Sequence, residues 1–166
     1  MKKLSKSFYI IYSAIILGGI IIDQLTKLLA VKLLAPLTTV PIIKDALHLT
    51  YVENRGAAFG MLANHRWVFM ILSTAAIITL SFLLFSGYLK GKLYTLSVAM
   101  IVSGGIGNMI DRIFLGYVID FIDFRLINFA VFNGADSFVC VGAALLLLAS
   151  ALDLIRESKN KKTVEK

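Results

Sequence analysis

WVFMILSTAAIITLSFLLFSGY, running from Trp67 to Tyr88, carries no charged side chain. A helix needs about 20 such residues to cross the hydrocarbon core of a bilayer, so this stretch reads as a transmembrane span. Three other stretches follow the same logic. Phe8 to Ile22 is apolar, meets Asp23, and continues with a helical pattern toward Leu34. Leu93 to Ile110 is rich in Gly and Ser near its end, and Phe138 to Leu152 is somewhat short and begins just after Asp136. The spans are expected at approximately 8–29, 67–88, 93–111 and 137–155, giving a single all-α membrane domain over residues 1–166.

Composition agrees. Of 166 residues, 58% are hydrophobic and the mean hydropathy is +0.85, more apolar side chain than a water-soluble domain of this length could bury. The net charge of +7 does not point to nucleic acid, because the charges lie between and outside the apolar runs. The single cysteine, Cys140, excludes an internal disulfide and a Cys-x-x-Cys pair, and reads as a small buried hydrophobe. Lys2, Lys3 and Lys6 precede the first apolar run, but neither a small-residue cleavage site nor a cysteine follows it, so that run is expected to stay as an anchor.

The basic residues set a direction. Lys2, Lys3 and Lys6 precede span one, Lys90 and Lys92 join spans two and three, and Arg156, Lys159, Lys161, Lys162 and Lys166 follow span four. These segments share one side, and the positive-inside rule makes it cytoplasmic. Both termini are then inside and two larger loops face outward. In the first loop, about Leu34 to Arg66, the residues Leu47, Leu49 and Tyr51 alternate with His48, Thr50 and Val52, which predicts a small sheet or hairpin on the membrane surface. The second, Arg112 to Ala135, is partly apolar and is expected to lie against the membrane or to cover something. The tail from Glu157 to Lys166 is expected to be frayed.

This topology gathers acids at one boundary. Span one ends near Asp23, span three ends near Asp111, span four begins near Asp136, and Asp120 lies in the loop between the last two. An ionisable group at membrane depth is costly and should face the bundle interior. One acid at a span end reads equally well as an interfacial charge. Four on the same side, with Asn54, Asn108, Arg112 and Asn133 as companions, point to a site. Arg112 is placed to neutralise Asp111 or Asp23. Gly104, Gly105 and Gly107 would let helices approach closely, and Asn108 and Asp111, three residues apart, share a helical face.

The available chemistry is narrow. His48 and His65 are the only histidines, both in the first loop and without metal-ligand spacing, so no metal or other cofactor is expected. No G-x-S-x-G element and no phosphate loop is present. Paired aspartates remain. Two carboxylates held together share a proton, one activating water and the other supporting the carbonyl under attack. Asp136 is one natural member, and spacing leaves Asp120, Asp123 and Asp111 open as its partner.

Five segments then resemble the lipoprotein signal peptidase (signal peptidase II) family: Asp23-Gln24-Leu25-Thr26-Lys27, Asn54-Arg55-Gly56-Ala57-Ala58-Phe59, Gly104-Gly105-Ile106-Gly107-Asn108-Met109-Ile110-Asp111-Arg112, Val118-Ile119-Asp120-Phe121, and Phe132-Asn133-Gly134-Ala135-Asp136. Each is weak alone, but in order on a four-span chain of this size they are specific. The resemblance implies an aspartyl endopeptidase with Asp120 and Asp136 as the catalytic pair, leaving Asp123 to pair with Arg125 or face water. It implies cleavage of prolipoproteins before a diacylglyceryl-modified cysteine, in a bacterial membrane, by an enzyme sensitive to globomycin; a monomer in the cytoplasmic membrane is the separate expectation. Asn54, Arg55 and Asn133 are expected nearer the substrate. Asp23, Asn108, Asp111 and Arg112 are expected to be more structural, and Gly56 to be supporting. Membrane lipids are the other expected partners, and nucleic acid is not.

Overall fold

The computed structural model describes residues 4–56 and 66–164. Ala57, Ala58 and Phe59 of the second motif, His65, and the terminal Lys2, Lys3 and Lys166 lie outside them. Four helices and three strands follow in the order α1 (Lys6–Leu34), β1 (Thr39–Ile43), β2 (Leu47–Asn54), α2 (Arg66–Phe85), α3 (Lys92–Phe114), β3 (Val118–Phe124) and α4 (Gly134–Val164). A short 3-10 turn, Arg125–Ile127, follows β3.

Each expected span is a helix. Of these, α1, α3 and α4 are long and apolar enough to cross a membrane, and α2 is a 20-residue helix that is uncharged from Trp67 onward. α4 runs on to Val164, so the tail expected to fray is helical for most of its length. The burial pattern is inverted relative to a protein folded in water. Leu17, Ile71, Ile78 and Leu147 are exposed, while Asp23, Lys27, Asn108, Asp111, Asp120 and Asn133 are buried. Lipid makes that arrangement favourable: it solvates the apolar faces and forces polar groups to find partners inside.

The core below the polar cluster is built from Ile16, Leu84, Val98, Ala99 and Val102, which join α1, α2 and α3. α3 also packs along α4. At Gly104 an added Cβ would collide with the main-chain carbonyl of Ala135, so only glycine allows α3 to come this close to the start of α4. Gly107 gives the same clearance to the Asp23 carboxylate, which a Cβ would meet at 2.6 Å.

The sheet is antiparallel with order β1-β2-β3. It corrects the expectation of a sheet confined to the first outer loop, because its third strand comes from the second. β3 contributes because its pairing with β2, Val52 opposite Asp120 and Asn54 opposite Val118, satisfies main-chain groups of both loops. Ala30 and Leu34 of α1 bury against Ile119, with Val40, Leu49 and Tyr51 packed around them, which fixes the sheet to the end of α1. His48 is buried opposite Asp123.

Candidate active site

Two carboxylates, Asp120 on β3 and Asp136 in the first turn of α4, line one cavity of about 440 Å³. Local structure explains how they meet. Main-chain hydrogen bonds between Phe132 and Ile122, at 2.8 and 3.0 Å, pin the segment before α4 onto β3. The next residue, Asn133, caps α4. Its Oδ1 accepts the Asp136 N–H at 2.9 Å, and Asp136 Oδ2 accepts the Asn133 N–H at 3.2 Å. This reciprocal arrangement is a capping box with Asn and Asp in the two roles.

Asn133 Nδ2 then reaches Asp120 Oδ1 at 2.7 Å, Asn108 Oδ1 at 3.0 Å and the Ile119 carbonyl at 3.2 Å. With two hydrogens for three acceptors, this fully buried amide is shared among them and cannot turn freely. Asn54 Nδ2 donates to the other Asp120 oxygen at 2.9 Å, while Asn54 Oδ1 accepts the Gly56 N–H at 3.0 Å, which fixes the amide's orientation. Asn108 Nδ2 donates to Asp136 Oδ1 at 2.7 Å. Burial raises the Asp120 carboxyl to about 6. The nearby Asp136 charge adds to the rise, and the hydrogen bonds from Asn54 and Asn133, which favour the ionised form, hold it back.

Behind the pair lies a buried ion cluster. Lys27 Nζ is 2.9 Å from each of Asp23 Oδ2, Asp111 Oδ2 and Asn108 Oδ1, so all three of its donors are satisfied. Asp23 Oδ1 accepts the Ala135 N–H at 2.7 Å, and Asp111 Oδ2 accepts the Ile119 N–H at 3.1 Å. Gln24 Nε2 donates to Asp111 Oδ1 at 3.0 Å and to the Gly107 carbonyl at 3.2 Å. One cation thereby connects α1 and α3, and its anions grip the start of α4 and the start of β3.

The five acids Asp23, Asp111, Asp120, Asp123 and Asp136 therefore differ in kind. Asp23 and Asp111 are consumed by Lys27 and by main-chain donors. Asp123 pairs with Arg125 at 2.9 Å and accepts from Thr50 at 2.7 Å. Burial alone would push it up, but those hydrogen bonds and the Arg125 charge outweigh it and hold Asp123 below the usual carboxylate range. Among the described acids, Asp120 and Asp136 are the two that face the cavity.

Several side chains sit elsewhere than the sequence suggested. The cation between Asp23 and Asp111 is Lys27, not Arg112. The Arg112 guanidinium reaches the Asn108 carbonyl at 3.5 Å and lines the cavity. Arg55 faces outward, 3.1 Å from Glu53 and 5.7 Å above the Tyr117 ring, and does not line it. Asn133 lies behind the carboxylates. Cys140 is exposed on the cavity wall instead of buried, one turn after Asp136. Lys27 and Gln24 were given no role from the sequence, although the four-residue spacing of Asp23 and Lys27 placed them on one helical face.

The family profile described as Signal peptidase (SPase) II matches residues 15–152. A lipoprotein signal peptidase of Caldanaerobacter subterraneus subsp. tengcongensis is 50% identical over 127 residues, covering 76% of this chain and 86% of that protein. One from Halothermothrix orenii is 47% identical over 136 residues, covering 81% and 90%. A solved bacterial membrane enzyme superposes with a TM-score of 0.76 at 28% identity over 90% of each chain. With a membrane-compatible helix bundle, a buried polar cluster and these relatives in agreement, the chain belongs to the signal peptidase II family and is a membrane peptidase.

Proposed function

We propose that the protein is an aspartyl endopeptidase that removes the signal peptide of prolipoproteins, cutting on the N-terminal side of a diacylglyceryl-modified cysteine. The observation that carries the reading is the shared wall of one cavity by Asp120 and Asp136, each held by asparagine side chains. The pair holds one proton between its members. The ionised carboxylate takes a proton from water as the water oxygen attacks the scissile carbonyl carbon. The protonated carboxyl hydrogen-bonds the developing oxyanion. As the C–N bond breaks, the leaving amine takes up the transferred proton. Asn54, Asn108 and Asn133 hold the pair in register, and no metal or other cofactor is needed.

The remaining walls suit a lipidated substrate. Phe124, Ile127, Phe129, Val131 and Phe132 give the cavity that holds the two carboxylates a largely apolar wall. All four helices span the membrane in this reading, with both termini cytoplasmic and the sheet outside. The site then opens at the outer leaflet of the bacterial cytoplasmic membrane. A signal peptide embedded in the bilayer and an acyl chain can both reach it there. The exposed Leu126 and Ile127 after β3 would sit in the interface. The protein works as a single domain and a monomer.

The test is cleavage of a lipobox peptide by purified protein in detergent, with and without diacylglyceryl on the cysteine, and the product's new N-terminus read by mass spectrometry. Only the lipidated peptide should be cut, directly before the cysteine. Equal cutting of both peptides would overturn the assignment of substrate.

A further inference from the structure

At the opposite end of the bundle from the carboxylates, a second cavity of about 450 Å³ opens between the α2–α3 connection and α4. Lys92 and Asn108 lie roughly 24 Å apart along α3, so this cavity is no part of the site described above. Its cationic lining is Lys90, Lys92 and Arg156. Gly91 separates the two lysines with φ of 102°, a backbone conformation that favours glycine, and this turn delivers both lysines to the same cavity.

The opposite wall is one face of α4. Ala149, Leu152, Asp153 and Arg156 recur at helical spacing, so two apolar residues form a floor and a charged pair forms the rim. Tyr94 and Leu93 complete the apolar side. The single acid does not balance the charge. Asp153 lies 3.6 Å from Arg156 with both side chains well exposed, an ion pair too wet to hold Arg156 away from another anion. Lys90 and Lys92 have no ion-pair partner among the described residues.

We propose that this cavity binds the headgroup of an anionic phospholipid, with phosphate between Lys90, Lys92 and Arg156 and an acyl chain running down the exposed apolar face of α4 at Leu152 and Leu148. Charge complementarity selects an anion. The apolar floor, continuous with a helix face that lipid covers, selects a lipid over a soluble phosphate. The inference stands on the membrane reading of the helices and is independent of the catalytic one.

The experiment is native mass spectrometry of the full chain released from detergent micelles that contain equal amounts of phosphatidylglycerol and phosphatidylcholine. It is paired with thermal unfolding in detergent upon addition of phosphatidylglycerol, phosphatidylcholine or glycerol 3-phosphate. Wild type should retain phosphatidylglycerol preferentially and be stabilised by it alone. Lys90→Gln, Lys92→Gln and Arg156→Gln should each weaken retention roughly fivefold, with peptide cleavage in neutral detergent unchanged. Arg156→Gln, at an exposed helical position, keeps the test open if the lysine variants express poorly. Three results would each overturn the proposal: equal retention of the two lipids by wild type, an undiminished preference in all three variants, or equal stabilisation by glycerol 3-phosphate.

Discussion

Asn133 Nδ2 lies 2.7 Å from Asp120 Oδ1, and the same side chain caps the helix that carries Asp136. One asparagine thus sets the position of both carboxylates. Any displacement of the start of α4 is felt at Asp120, and any displacement of β3 is felt at Asp136. The ion cluster around Lys27 acts on the same two places, through Ala135 and Ile119.

The Asp120 carboxyl sits at about 6. In the proposed mechanism turnover needs one proton on the pair, so the rate should fall as pH rises through the loss of that proton. The Asn54 hydrogen bond favours the ionised form of Asp120. Asn54→Ala removes it, raises the pKa and should move the falling limb of kcat/KM to higher pH. A pH profile with the lipidated peptide checks this, and a limb that moves to lower pH contradicts it.

Lys27 carries one positive charge between two buried aspartates. Removing one partner of a buried ion pair costs about 3–5 kcal/mol. Lys27→Met and Asp23→Ala should each lower the yield of folded protein and its unfolding temperature. The double variant should be less unstable than the sum of the two, with a coupling of about 0.5–3 kcal/mol. Thermal unfolding of the four proteins in one detergent measures the cycle. Normal yield and stability in Asp23→Ala, with turnover lost, would make Asp23 a participant in the reaction and not a part of the frame.

Gly104→Ala forces a methyl group against the Ala135 carbonyl. Because a main-chain atom cannot rotate aside, α3 and the start of α4 must separate. Overpacking of this kind costs about 1–3 kcal/mol. The separation would also pull Asn108 from Asp136. Lower unfolding temperature together with reduced turnover is the expected result. An unchanged enzyme would show that the helix contact is looser than the geometry says.

The helices were legible in the sequence because apolar length and the sites of basic residues are local signals. Four acids at one boundary were legible for the same reason. The third strand was not. In Val118–Phe124 apolar and acidic residues fall on both alternating faces, since Asp120 and Asp123 have opposite parity, so no clean two-residue period remains. Its pairing partner, β2, lies two helices earlier in the chain. Nor could spacing separate Asp120 from Asp123 and Asp111. The family resemblance favoured Asp120, and the geometry gives a physical basis for that choice by pairing the others with Arg125 and Lys27. Lys27 carries no sign in its own stretch of sequence that it is buried. Its burial depends on Asp111 and Asn108 arriving from α3, which no local pattern announces.

The account rests most directly on the carboxylate pair. The decisive measurement is turnover of the lipidated peptide by wild type, Asp120→Asn, Asp136→Asn and the double variant, each shown to be folded by thermal unfolding. Either single substitution should reduce turnover by about 10²–10⁴-fold or more, and the double should be scarcely worse than either single, because the two carboxyls act as one unit. Near-normal turnover in a folded Asp120→Asn or Asp136→Asn protein would contradict the aspartyl mechanism.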